Sequence, residues 1–159
     1  MADYEFTTLW QIKAPLQAVW EEIRQPEHWP QWWPSVQSVV ELEPGDENGL
    51  GGIWRYVWKG ALPYRLTVDM RVTRTEPPVL LEGAASGDLH GVGRWQLSGD
   101  DTATTVRFDW RVSGPRPWMR VVAPVTRPVF RWNHNHVMEH GRLGLVKRIM
   151  SSAEMEKTP

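Results

Sequence analysis

The sequence predicts an α+β domain. A curved, seven-stranded antiparallel sheet wraps around one long C-terminal helix, with two short helices between strands 1 and 2. Three observations predict it. Tyr64, Leu66, Val68, Met70 and Val72 alternate with Arg65, Thr67, Asp69, Arg71 and Thr73, the period of a strand with one dry and one wet face. Five further strand-like runs surround this one after residue 35, with links short enough to require an antiparallel meander. Finally, at ~100° per residue, Phe130, Val137, Gly141 and Leu145 fall on one stripe with Met138 at its edge. A sheet with one apolar face needs a cover, and residues 117 to 149 form the only segment long enough.

Taken in order, residues 4 to 13 form a strand that places Phe6, Thr8, Trp10 and Ile12 on one face. Ala14-Pro15 stops it, and Pro15 suits the first turn of a helix in which Leu16, Val19, Trp20 and Ile23 recur up to Arg24. Pro26 opens a second short helix that Pro34 closes. Strands are then expected at 36–42, 53–59, 64–74, 79–85, 89–97 and 104–112, divided by Gly-, Asp- and Pro-rich turns. Gly114-Pro115 ends the last of them, and prolines interrupt the approach to the final helix. Residues 1–150 thus read as one domain and 151–159 as a polar, disordered tail.

Composition excludes several classes. A net charge of −1, with Lys and Arg scattered among acids, makes no case for nucleic acid or an anionic membrane. No run approaches the ~20 apolar residues that span a bilayer, so stable membrane insertion is not expected. There are no cysteines, hence no disulfides and no thiolate metal site, and MADYEFTTLW lacks the basic and apolar regions of a signal peptide. A cytoplasmic protein is expected, and a homodimer is compatible with the sequence. The unusual number is 11 tryptophans against 3 Tyr and 3 Phe, whose positions decide between packing and a cavity wall.

Several segments carry a family resemblance. They are Ala14-Pro15 with Val19-Trp20, Trp29 with Trp32-Trp33-Pro34, and Trp58-Lys59-Gly60 with Leu62-Pro63-Tyr64. Further on they are Gly87-Asp88-Leu89, Gly91, Gly93-Arg94-Trp95, Pro117-Trp118-Met119, Arg127-Pro128, Phe130 and Trp132-Asn133-His134. Over roughly its whole length the chain resembles the SRPBCC superfamily, the Bet v 1-like, START-related helix-grip proteins. Within it, the chain is similar to bacterial members labelled polyketide cyclase/dehydrase-like. The resemblance implies a cavity between the concave face of the sheet and the long helix. Because the fold hosts carriers, receptors and enzymes, it does not by itself imply one activity.

Alternation then names the residues expected on the wall of that cavity. From the sheet they are Trp54, Tyr56, Trp58, Leu66, Val68, Met70, Trp95, Phe108 and Trp110; from the helix, Phe130, Asn133, His134, Val137 and Met138. These side chains suit a small hydrophobic, aromatic or polyketide/lipid-like ligand, unless they simply fill the interior. His134 is the candidate catalytic residue. An imidazole on an apolar stripe either finds a hydrogen-bond partner, such as Tyr56 or a backbone carbonyl, or serves as acid/base in a cyclase or dehydratase. In that enzyme reading, Tyr56 or Asn133 polarises a carbonyl; otherwise Asn133 braces a strand. A domain with a filled core and a purely interacting role is the third reading. No cofactor is expected, and no metal, since the His136/His140 pair lacks a third ligand. The glycines near 49–52 and at 91 and 93 lack P-loop spacing and suit a bent strand. Trp29, Trp32 and Trp33 read as a lid or a plug at one end.

Overall fold

The computed structural model describes residues 4–114 and 117–157; for 117–124 and 154–157 only the backbone is described. Pro115 and residues 158–159 of the expected tail lie outside the described residues. The strands are β1 (Tyr4–Ile12), β2 (Val36–Glu43), β3 (Ile53–Trp58), β4 (Leu66–Glu76), β5 (Leu80–Gly87), β6 (His90–Gly99) and β7 (Thr104–Ser113). The helices are α1 (Leu16–Ile23), α2 (Trp29–Trp32) and α3 (Pro117–Lys157), with a 3-10 turn at Pro26–His28 before α2. All strands pair antiparallel in the order β1-β7-β6-β5-β4-β3-β2, so chain neighbours are sheet neighbours from β2 to β7 and β1 closes onto β7. That is the expected meander.

Alternation is clearest in β1 and β6. In β1, Tyr4, Trp10 and Ile12 are buried while Glu5, Thr7, Leu9 and Gln11 are exposed. In β6, Gly93, Trp95 and Leu97 are buried, with exposed Val92, Gln96 and Ser98 and half-buried Arg94 between and beside them. Register shifts at Val36/Ser38, Glu41/Glu43 and Val72/Arg74 mark bulges, which sharpen twist and help the sheet to curl. On the wet face, Arg55 forks onto Asp69 as cross-strand alternation predicts. Arg94 faces Glu82 on β5 and Asp109 on β7; its guanidinium donates to Glu82 at 2.6 Å, again a cross-strand pair, and Asp109 takes Thr7 and Arg107.

The inner face packs on α1, α2 and α3 in a main core, which holds Trp10, Val19, Trp20, Ile23, Trp33, Tyr56, Trp95, Val106, Met138 and Leu145, and a smaller cluster forms around Tyr4 and Val112. Burying a side chain such as Leu145 contributes about 2 kcal/mol. The helix crosses the tryptophan-bearing α2 at two glycines. A Cβ on Gly141 would lie 2.5 Å from Trp33 Cε2, and one on Gly144 would overlap the Trp32 carbonyl oxygen. Trp33 seals the crossing by donating its Nε1–H to the Val137 carbonyl at 2.8 Å.

Two features of α3 differ from the sequence reading. Pro124 and Pro128 lie inside the helical segment, where each removes an amide donor without ending the helix. The helix also continues through residues 151–157, expected as disordered tail; Ser151 to Lys157 contain no breaker, and Ser152 Oγ donates back to the Arg148 carbonyl.

Candidate ligand-binding site

Between the concave face of the sheet and α3 lies a cavity of about 660 Å³. Sequence and sheet geometry explain the space. Gly83 and Gly93 pair across β5 and β6 and withdraw side chains from the middle of the floor. The Trp110 ring and the Met70 methyl lie over these glycines, where an added Cβ would sit 3.0 Å from Trp110 or 3.1 Å from Met70 Cε. Bulky side chains on the surrounding strands stand up as walls, and α3 forms the roof.

Trp54, Tyr56, Trp58, Leu66, Val68, Met70, Trp95, Phe108, Trp110, Phe130, Asn133, His134, Val137 and Met138 all lie on the wall of this one cavity. Aromatic contacts organise them. Trp95 and Phe108 lie 4.3 Å apart between centroids, Phe108 stacks on Trp110, and Tyr56 stacks on Trp58. Trp29 and Trp33 close one end, with Trp29 against Tyr56 and Trp58 and Trp33 edge-on to Trp58. Trp32 stacks behind Trp33 and does not reach the cavity, so the trio is a plug of which two members present a face inward. At the other end Tyr4, Tyr64, Leu89 and Phe130 gather, with Phe130 edge-on to both tyrosines.

The sequence reading missed several wall residues. Phe6 sits on the predicted inner face of β1, and Tyr64 begins the alternation that Leu66 and Val68 continue, so the pattern held that signal. Arg65 and Asp88 carried none, because they reach the wall from links outside the strands, and Glu82 reaches it from within β5 beside Gly83. Glu82 is held by Arg94, and Asp88 accepts the Thr67 amide at 2.8 Å.

His134 is the polar centre of the roof. Its ring stacks on Phe6 at 4.5 Å, and Nε2 lies 3.3 Å from Thr8 Oγ1. Its partner is therefore a strand hydroxyl, and neither Tyr56 nor a carbonyl. Burial pushes the imidazole down to about 4, which leaves it neutral near pH 7. A folded-state value below the ordinary 6.5 means that the unfolded chain takes up this proton first as pH falls. The contribution is complete above about pH 6.5 and is lost toward pH 4. Roughly 2 to 3 kcal/mol should disappear between about pH 7 and 4.5. Urea unfolding at the two pH values measures the loss, and His134→Gln should flatten it. The Tyr56 hydroxyl is raised well above its ordinary value, first by burial and then by the charge of Glu27, so it stays a neutral donor.

Asn133 braces the fold. Its Oδ1 accepts the Ala61 amide at 2.8 Å, and Gly60 packs directly against Asn133 and Val137. This pins the β3–β4 link to α3. Asn133→Ala should cost about 1 kcal/mol in urea unfolding and raise hydrogen exchange at the Ala61 amide. His136 and His140 stand with centroids 4.1 Å apart, and among the described residues no group of three metal-ligating side chains occurs.

Known proteins agree with this architecture. Among solved structures, the Zhui aromatase/cyclase from Streptomyces sp. R1128 superposes with a TM-score of 0.72 at 14% identity, covering 92% of this chain and 93% of that one. A START superfamily protein from Mycobacterium smegmatis gives 0.69 at 15%, covering 92% and 97%. Ara h 8.0201 gives 0.58 at 13%, covering 93% and 98%. At these identities the similarity shows the fold. No curated protein matches the chain in sequence. A family model described as polyketide cyclase / dehydrase and lipid transport matches residues 4–141, nearly the whole described domain. The chain belongs to that family.

Proposed function

We propose that the protein binds a small hydrophobic, ring-bearing molecule between the sheet and α3. The observation that carries this reading is the cavity itself: about 660 Å³, walled by aromatic and aliphatic side chains and plugged by Trp29 and Trp33. That volume lies within the roughly 300–1,000 Å³ of sites for drug-sized ligands, whose walls are likewise mostly apolar with few polar groups. The family description, which joins polyketide chemistry to lipid transport, supports the same class of ligand. So does the Streptomyces neighbour, an aromatase/cyclase. In this reading the fourteen predicted wall residues are the ligand contacts, with Trp95, Phe108 and Trp110 offering flat faces for a ring. Titration of ligand-stripped protein with an anilinonaphthalene dye, whose fluorescence rises in apolar sites, should show one saturable site per chain. Dye that finds no saturable site would overturn the reading.

The neutral imidazole of His134 supports a second reading, cyclase- or dehydratase-type catalysis. Held near Thr8 Oγ1 on a cavity wall, it is in the state of a general base that could take a proton from a bound substrate and return it. His134→Ala separates the two readings. A catalytic role predicts that turnover of an aromatic polyketide substrate falls by at least ~100-fold while dye affinity stays within a few-fold. Unchanged turnover would leave binding alone.

A further inference from the structure

We infer that the ligand carries a neutral, hydrogen-bond-accepting oxygen, a carbonyl on its ring system, and that Tyr56 holds this oxygen at the plugged end of the cavity with Trp95 as a second donor. The inference rests on the binding reading above and names what the bound molecule must offer. Most polar side chains on the cavity wall already have partners within the protein. Trp29 and Trp33 donate their Nε1–H groups to the Glu22 and Val137 carbonyls, and Thr8 lies against His134. Ala61, Arg94 and Thr67 donate to Asn133, Glu82 and Asp88.

Tyr56 and Trp95 differ. They are 7% and 6% exposed and both line the cavity, yet neither the Tyr56 hydroxyl nor the Trp95 Nε1–H has a hydrogen-bond partner among the described residues. The unpartnered polar atoms that packing seals completely are Trp10 Nε1, Glu22 Oε2, Trp32 Nε1 and Arg148 Nε. The Tyr56 oxygen and the Trp95 nitrogen are not among them, and on the inner face of the sheet the space they open onto is the cavity. Both rings pack on Trp29, with centroids 5.4 and 5.9 Å from it, so both donors belong to the plugged end.

Chemistry then selects the ligand group. Burial, and after it the charge of Glu27, hold the Tyr56 hydroxyl in its protonated form, and Glu27 makes no hydrogen bond to it. An indole N–H donates and never accepts. Two donors left bare in an apolar site are costly, and a hydrocarbon ligand would leave both bare. A carboxylate would satisfy them but would meet the negative charge that Tyr56 already feels from Glu27. A neutral carbonyl satisfies them without that repulsion. Phe108 lies between Trp95 and His134, with centroids 4.3 and 6.4 Å away, so this contact does not call on His134 and holds for a carrier or an enzyme.

Fluorene and fluorenone, flat molecules of similar size that differ by one carbonyl, test it by competition with the bound dye in wild type and Tyr56→Phe. The substitution should weaken fluorenone at least ~5-fold and leave fluorene within ~2-fold. The carbonyl stretch of bound fluorenone should rise in the variant, because a donated hydrogen bond lowers it. The thermal midpoint of the ligand-free variant should not fall, since the hydroxyl removed has no partner in the protein; a fall of several degrees would assign it a structural bond and overturn the inference. Equal losses for the two compounds, or no loss for either, would overturn it while leaving the cavity a binding site. Failure of both compounds to displace dye from the wild type would overturn the binding reading and the inference together.

Discussion

Gly144→Ala should destabilise the protein by about 2 kcal/mol or more, the reverse of what this exchange does in most helices. In an exposed helix interior, alanine gains roughly 1 kcal/mol over glycine by lowering backbone entropy in the unfolded chain. Here the new methyl would occupy the space of the Trp32 carbonyl oxygen, which belongs to backbone and has no rotamer to escape into. The helix must lift away from α2. Lifting it stretches the 2.8 Å bond from Trp33 to the Val137 carbonyl and loosens the packing around Leu145. Overpacking of this kind costs about 1–3 kcal/mol or more, and exceeds the propensity gain. Thermal and urea unfolding measure the net effect. Gly141→Ala should follow in the same direction, since its methyl meets the rigid Trp33 indole.

Val68→Trp should abolish binding of the dye and of the natural ligand, by at least ~100-fold, while the domain stays folded. Val68 is buried, lines the cavity, and sits in β4 between Tyr56 on β3 and Gly87 on β5. The absent side chain at Gly87 and the adjoining void leave an indole one direction of growth, into the cavity. The fold tolerates it because the added ring enters space that was already empty, so the stability change should stay within ~1 kcal/mol. The ligand does not tolerate it, because the ring then occupies the volume where its apolar body lay. Unaltered affinity in a folded Val68→Trp would place the ligand elsewhere.

Much of the fold was legible because a curved meander under a helix has a simple code. Period-two alternation in residues 64 to 74, the Trp54-Tyr56-Trp58 series and the helical stripe through Leu145 each depend on local geometry alone. The location of the cavity wall was legible for the same reason: a face assigned strand by strand becomes one surface once the sheet curls. What stayed hidden depended on contacts between distant elements. Nothing in the sequence chooses Thr8 over Tyr56 as the partner of His134, since that follows from the tilt of α3 across β1. Arg94 has a register neighbour on either side, Glu82 and Asp109, and its turn toward Glu82 is a rotamer choice that alternation does not encode. Gly141 reads as part of a stripe and Gly144 carries no signal, while their purpose, the approach of α2, appears only in three dimensions. The ligand itself is written in neither, because apolar walls recognise shape and area more than any one chemical group.

Native mass spectrometry of the protein purified from its own host tests the central claim most directly. A carrier or enzyme with an apolar cavity of about 660 Å³ should retain one small organic molecule per chain, released when the chain unfolds and missing from Val68→Trp purified in parallel. A bare chain mass in the wild type, or the same bound mass in both proteins, would contradict the account.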